Sequence, residues 1–120
     1  MNKILIVEDQ VDILNLLKKV LEAGDREIFL AQCGEEAREI ARETIPDVIL
    51  LDIMFPGGID GYEVARTLKR DPLTANCPII VMTARVQEQD KAVAFAAGAD
   101  DFIGKPYNLV DLKNRIARFI

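Results

Sequence analysis

The 120-residue sequence contains no histidine and no tryptophan. Without histidine there is no imidazole metal ligand, no serine or cysteine triad that depends on His, and no phosphohistidine formed on the chain itself. The two cysteines, Cys33 and Cys77, are too few for a disulfide framework and lack metal-type spacing; both are expected to be buried thiols. No apolar run approaches the roughly 20 residues that a membrane span needs. The opening "MNKILIVEDQ" reaches charge at Glu8 and Asp9, unlike a signal peptide. These absences predict a cytoplasmic protein with no membrane partner. Basic residues are also in deficit, 15 Lys and Arg against 20 Asp and Glu for a net charge of −5, which argues against direct binding to nucleic acid. A P-loop is missing too.

What is present is a globular composition, half hydrophobic and 29% charged, of a length that fits one domain over residues 1–120. Short apolar runs alternate with amphipathic stretches. Strands are predicted at "KILIV" (3–7), "EIFLA" (27–31), "DVILL" (47–51), "PIIVM" (78–82) and "DFIG" (101–104). Three of them are apolar on both faces, as a sheet covered by helices on each side requires. Helical faces are formed by Ile13, Leu14, Leu17, Val20 and Leu21; by Ala37, Ile40 and Ala41; by Val64, Ala65 and Leu68; and by Leu109, Leu112, Ile116 and Phe119. Residues 86–97 carry only a thin stripe, Val86, Val93 and Ala96, so this fourth helix should be the most weakly anchored. Pro46, Pro72, Pro78 and Pro106 fall between elements. Asp60 with Glu63 reads as a capping box and Asn108 as an N-cap, while Gly24 and Gly98 suit helix C-termini. The pattern is (βα)₅, an α/β fold with a parallel sheet and right-handed crossovers.

In "DVILLDIMFPGGIDG" (47–61), an ionised carboxylate, Asp52, ends a run of branched apolar residues, where burial costs several kcal/mol unless compensated. Open α/β sheets build their sites beyond the carboxyl ends of the strands. There the first strand offers Glu8 and Asp9, the third Asp52, the fourth Thr83 and Ala84, and the fifth Lys105 and Pro106. Unit charges about 4 Å apart interact by roughly 4 kcal/mol at an effective dielectric of 20. One lysine cannot neutralise three carboxylates, so the cluster must take up protons or hold a cation. Oxygen ligands without His or Cys suit Mg²⁺. A cation beside Lys105 and Thr83 in turn suits a phosphoryl group, which Asp52 could accept as an aspartyl-phosphate.

"KILIVED", "DVILLDIMFP", "IIVMTA" and "GADDFIGKPY", in this order and each at a strand end, resemble the signature segments of the response-regulator receiver domain of two-component signalling. The resemblance spans essentially the whole chain. It implies a flavodoxin-like, doubly wound sheet of order 2-1-3-4-5. It implies that Asp52 is the phosphoacceptor and that Glu8, Asp9 and Asp52 hold Mg²⁺ with the backbone carbonyl of Met54. Lys105 would pair with the phosphoryl group, whose oxygens would also meet the backbone of Ala84 and Met54. A cis bond before Pro106, a switch hydroxyl on Thr83 and a switch aromatic at Phe102 are implied as well. Met54 and Arg85 occupy positions that tune phosphoryl hydrolysis in the family. The implied partners are a sensor histidine kinase or histidine phosphotransfer protein as donor, and an output domain or effector protein read through the face of residues 86–120. Lys91, Asp101, Asp111 and Arg115 resemble the charged positions through which winged-helix regulators dimerise, although solvated surface charge accounts for them equally well.

Two departures from the family pattern stand out. Gly57, Gly58 and Ile59 add one residue before the Asp60-Gly61 pair, and the aromatic is Phe102 rather than the commoner tyrosine. Simpler roles compete at each position. Asp9 could cap the first helix, Glu8 could be an ordinary helix-start acid, and Thr83 could cap the fourth helix. Lys105 could be a surface lysine and Phe102 a core residue. Competing functions are a flavodoxin-like FMN electron carrier, a haloacid-dehalogenase-type phosphatase and a degenerate receiver kept for interaction alone. "EDQVD" after the first strand would repel FMN phosphate. The phosphatase would want a second Asp where Met54 stands. A receiver is no conventional enzyme, since it catalyses phosphorylation and dephosphorylation of its own Asp52.

Overall fold

The computed structural model describes residues 2–53, 61–84 and 87–120. Five strands alternate with five helices: β1 (Asn2–Val7), α1 (Val11–Leu21), β2 (Arg26–Ala31), α2 (Gly34–Thr44), β3 (Val48–Asp52), α3 (Gly61–Arg70), β4 (Ile79–Thr83), α4 (Glu88–Ala96), β5 (Asp101–Gly104) and α5 (Leu109–Ala117). The strands are parallel and ordered β2-β1-β3-β4-β5. The expected strands fall within one residue of these bounds.

Strand alternation assigns the core to two layers. Leu5, Val7, Ile49, Leu51, Ile79 and Val81 face α2, α3 and α4, meeting Ala37, Ala41, Val64, Leu68 and Ala94. Ile4, Ile6, Val48, Leu50, Ile80 and Met82 face α1 and α5, meeting Leu14, Leu17, Leu21, Leu112 and Ile116. Every residue of β3 and β4 is buried, as expected for central parallel strands. β2 lies at the sheet edge and is only partly covered.

Several expectations need correction. Cys33 is exposed and only Cys77 is buried, because Cys33 precedes α2 at the rim while Cys77 leads into β4. Burial raises the Cys77 thiol above its ordinary pKa. On α4 the inward residues are Ala94 and, just past the helix, Ala97, with Val93 and Ala96 outward. The branched residue misled because these small alanines are what allow close approach to the sheet. α4 still buries only one residue of its nine, so its anchorage is thin as expected. Leu109 is exposed, the α5 stripe being Leu112 and Ile116. α1 ends at an extended Glu22, two residues before Gly24, whereas Gly98 takes φ 109° after α4, as a left-handed terminator should. The Asn108 cap is present, its side chain accepting from the Val110 and Asp111 N–H groups. Asp60, Val86 and Arg85 lie outside the described residues. Among the described residues, no helix is long and apolar enough to cross a membrane.

Candidate functional site

The chain steps from β1 outward to β2 and then crosses back to β3, so helices leave the sheet on opposite faces at β1 and β3. This reversal opens a crevice at their carboxyl ends. Glu8 and Asp9 follow β1, and Asp52 ends β3. Glu8 is held by its backbone N–H donating to Ala31 O at 3.0 Å. Asp52 is fixed by pairing with Met82, and the Ile53 N–H donates to Met82 O at 3.1 Å. Thr83, next along β4, pairs with Gly104, and its carbonyl accepts from the Lys105 N–H at 2.7 Å. The peptide bond between Lys105 and Pro106 is cis, and the Lys105 ammonium donates to Asp52 Oδ2 at 3.0 Å.

Glu8 is 1% exposed, Asp52 2% and Thr83 0%. Glu8, Asp9 and Asp52 each offer a carboxylate oxygen, and these atoms all lie within 4.8 Å of one another. Burial, then a hydrogen bond and charge repulsion from Asp52, push the Glu8 pKa up to about 8, against partial relief from Lys105. At neutral pH this group therefore carries a proton unless a cation replaces it. The Glu8 Oε2 atom is buried with no hydrogen-bond partner among the described residues, which fits a cation-ligating oxygen.

The donor set fits Mg²⁺. All three ligands are hard oxygens, as this ion prefers. Adjacent oxygens around Mg²⁺ sit about 3 Å apart and opposite ones about 4.2 Å, so side-chain rotation must draw these three atoms closer for them to share one ion. Met54, whose carbonyl was expected to contribute, lies outside the described residues, as does the segment with Gly57, Gly58 and Ile59.

The simpler roles for Asp9 and Thr83 fail on geometry. Gln10 is the N-cap residue of α1, and Gln87 with Asp90 forms a capping box at α4. Phe102 is 6% exposed and packs in the layer containing Ala94 and Ala97, with Lys91 Nζ 6.0 Å from its ring centroid. Ala84 follows Thr83 at the exposed rim. Arg115 bonds Asp101 at 2.9 Å, Asp111 at 3.3 Å and the Phe102 carbonyl at 2.6 Å, while Lys91 pairs with Glu88 at 3.8 Å. The four charges singled out on this face thus have partners within the chain.

Two residues were missed. Tyr107 is half-buried against the core layer of α1 and α5, and its hydroxyl pKa is raised by burial and then by the charges of Glu8 and Asp52; its place beside Lys105-Pro106 was the only signal. Gly61 packs so closely behind β3 that a Cβ would stand 2.5 Å from Ile53 Cα and 2.8 Å from Asp52 O. Any side chain there would displace the backbone carrying Asp52, and the Asp60-Gly61 pair was its signal.

Comparison with known proteins gives a consistent result. Residues 4–117 match the family model described as the response regulator receiver domain. The phosphate regulon transcriptional regulatory protein PhoB of Pseudomonas aeruginosa is 41% identical over 113 residues, 94% of this chain and 49% of that protein. The chain spans about half the length of the curated relatives it matches. The Vibrio cholerae chemotaxis protein CheY4 superposes with a TM-score of 0.91 at 27% identity, covering 100% of this chain and 99% of the other. The receiver domain of a P. aeruginosa sensor histidine kinase, solved with magnesium coordinated in its active-site cleft, gives 0.86 at 27% identity over 98% and 96%.

Proposed function

The chain belongs to the response regulator receiver domain family, and from that premise we propose that Asp52 accepts a phosphoryl group from a partner's phosphohistidine. Receivers of this family take phosphoryl groups from histidine kinases and signal to output domains. The observation that carries the proposal is the packing of Glu8, Asp9 and Asp52 oxygens within 4.8 Å while Lys105 contacts Asp52 at 3.0 Å. A flavin phosphate would meet this same acidic cluster and be repelled.

Bound at Glu8, Asp9 and Asp52, Mg²⁺ would neutralise the acids and the charge on the transferring group. An Asp52 carboxylate oxygen forms the new bond to phosphorus as the donor's N–P bond breaks, and the bonding pair returns to the imidazole nitrogen. The Lys105 ammonium holds charge on the phosphoryl oxygens, which the Ala84 backbone would also meet; the same role for the Met54 backbone rests on the family pattern, since Met54 lies outside the described residues. Phosphorylation adds about −1.5 to −2 charge and three acceptor oxygens. Thr83 donates its hydroxyl to one of them. Phe102 is already inward, so this bond would hold the ring and α4 in that arrangement and thereby set partner affinity at the α4–β5–α5 face. Lys91, Asp101, Asp111 and Arg115 on that face would reorganise their pairs to bind a second copy.

Mass spectrometry after incubation with Mg²⁺ and acetyl phosphate tests the central claim. Wild type gains one phosphoryl group and Asp52→Asn gains none; equal uptake by both would reject Asp52 as acceptor. If Thr83→Ala retains the full phosphorylation-dependent change in binding, the proposed coupling fails. A strict monomer in sedimentation of the phosphorylated chain removes the dimer.

A further inference from the structure

The opposite end of the molecule carries an arrangement that phosphoryl transfer does not use. Arg38 and Arg42 on α2 and Arg70 on α3 line one open groove of about 390 Å³ together with Asp71. Arg42 Nε lies 3.1 Å from Asp71 Oδ2, and Arg70 reaches Glu63 only at 3.8 Å. Arg38 forms no ion pair with any described residue. Like charges at i and i+4 disfavour a helix, yet Arg38 and Arg42 take that spacing on a chain with net charge −5. Arg42, in the last turn of α2, suits the helix C-terminus, but Arg38, one turn earlier, has no such role.

Two large aliphatic residues stand at the same end. Ile45, directly after α2, is 46% exposed, and Leu73, just beyond α3, is 53% exposed. Leu73 is tied to the groove by its N–H donating to Asp71 Oδ1 at 3.0 Å. Ile45 adopts φ 47° and ψ 70°, a left-handed conformation that glycine or asparagine takes readily and a β-branched residue takes only under strain. A strained residue showing its apolar side chain to solvent contributes little to folding, which turns attention to what it could contact.

We propose that the C-terminal ends of α2 and α3 form a docking surface for an acidic partner segment bearing aliphatic side chains. Arg38, Arg42 and Arg70 would take its carboxylates, for which the planar guanidinium fork is suited. Ile45 and Leu73 would supply the apolar anchors that charge pairs at a surface lack. Charge complementarity fixes the occupant's sign, since the groove gathers cations on an acidic protein. The surface lies at the amino-terminal edge of the sheet, away from Asp52, and does not depend on the phosphorylation state.

A random peptide library selected against the immobilised chain tests this, with amide NMR shifts locating the bound peptides. Selected peptides are expected to combine Asp or Glu with Leu, Ile or Val and to shift residues at the ends of α2 and α3. Their affinity should fall at least tenfold in Arg38→Glu/Arg70→Glu. Ile45→Gly should weaken binding about fivefold while raising Tm, a combination that a packing role for Ile45 would not give. The proposal is overturned if selected peptides map to another face, if the charge reversal leaves affinity unchanged, or if Ile45→Gly lowers Tm. It is also overturned if inorganic phosphate competes at equal concentration, which would make the groove a small-anion site.

Discussion

The two edges of the sheet use the same residue types to opposite ends. At the amino-terminal edge, Asp47 Oδ2 accepts from the Lys3 N–H at 2.7 Å, and Lys3 Nζ caps α2 through Thr44 O at 2.9 Å. Asp100 Oδ2 accepts from the Ile79 N–H and from Lys69 Nζ, each at 2.9 Å, and Lys69 also reaches Cys77 O at 2.9 Å and Ala75 O at 3.3 Å. Each acid there has a cation or a strand N–H, and together they finish the hydrogen bonding of β1 and β4. At the carboxyl edge, three acids share Lys105. Asp47 and Asp100 at one edge are satisfied within the chain; the acids at the other are satisfied only with something added. Counting partners for each carboxylate separates structural acids from reactive ones, where residue type alone does not.

The largest expected effect follows from the shared lysine. Lys105→Ala removes the charge opposite the transferring group and should slow phosphorylation by acetyl phosphate by about 10²–10³-fold, as loss of one preorganised stabilising group does elsewhere. Lys69→Ala, the matching change at the other edge, should leave that rate within about twofold, since it touches no reacting atom. Equal rate losses would erase the contrast.

Proton linkage offers a second test. Folded Glu8 keeps its proton up to about pH 8, against 4.5 for an ordinary glutamate. Between these values the folded state binds more protons than the unfolded one, so stability falls as pH rises. In chelator, the Glu8 contribution is fully present below about pH 4.5 and lost as pH passes about 8, a drop on the order of a few kcal/mol. Saturating Mg²⁺ should flatten the profile by replacing the proton. Urea unfolding across this window, with and without Mg²⁺, measures it; a flat curve in chelator would show that Glu8 is not destabilised.

Lys69→Ala should also cost the fold about 2–3 kcal/mol, because Ala75, Cys77 and Asp100 all lose a donor. Lys105→Ala should cost less, since Asp52 can share a proton with Glu8 instead.

Much of this was legible from sequence because it depended on local rules. Strand positions followed from apolar runs, and Glu8, Asp9, Asp52, Thr83 and Lys105 from their places after those runs. What stayed hidden depended on which neighbour comes close. Ala94 and Ala97 face the sheet because α4 sits near it, and no periodicity in residues 86–97 marks alanine above Val93. Ile45 gives no sign of its left-handed backbone, since sequence suggests glycine or asparagine for that role. Tyr107 is linked to the cleft only by tertiary placement, since burial and the charges of Glu8 and Asp52 raise its hydroxyl pKa.

The smallest contrast compares two isosteric changes. Asp47→Asn keeps an oxygen for the Lys3 N–H but loses the charge that strengthens that bond, and should destabilise by about 0.5–1.5 kcal/mol. Asp52→Asn removes one of three crowded charges, lets Glu8 ionise more readily and, in chelator near pH 8, should stabilise by about 1 kcal/mol. Opposite signs from the same chemical substitution would mean that Asp52 is held at an energetic disadvantage that Asp47 does not share. The two variants destabilising alike in chelator would mean that Asp52, with Lys105 at 3.0 Å, is as well satisfied as any structural acid, and the case for an unfinished site would then fail on its own energetics.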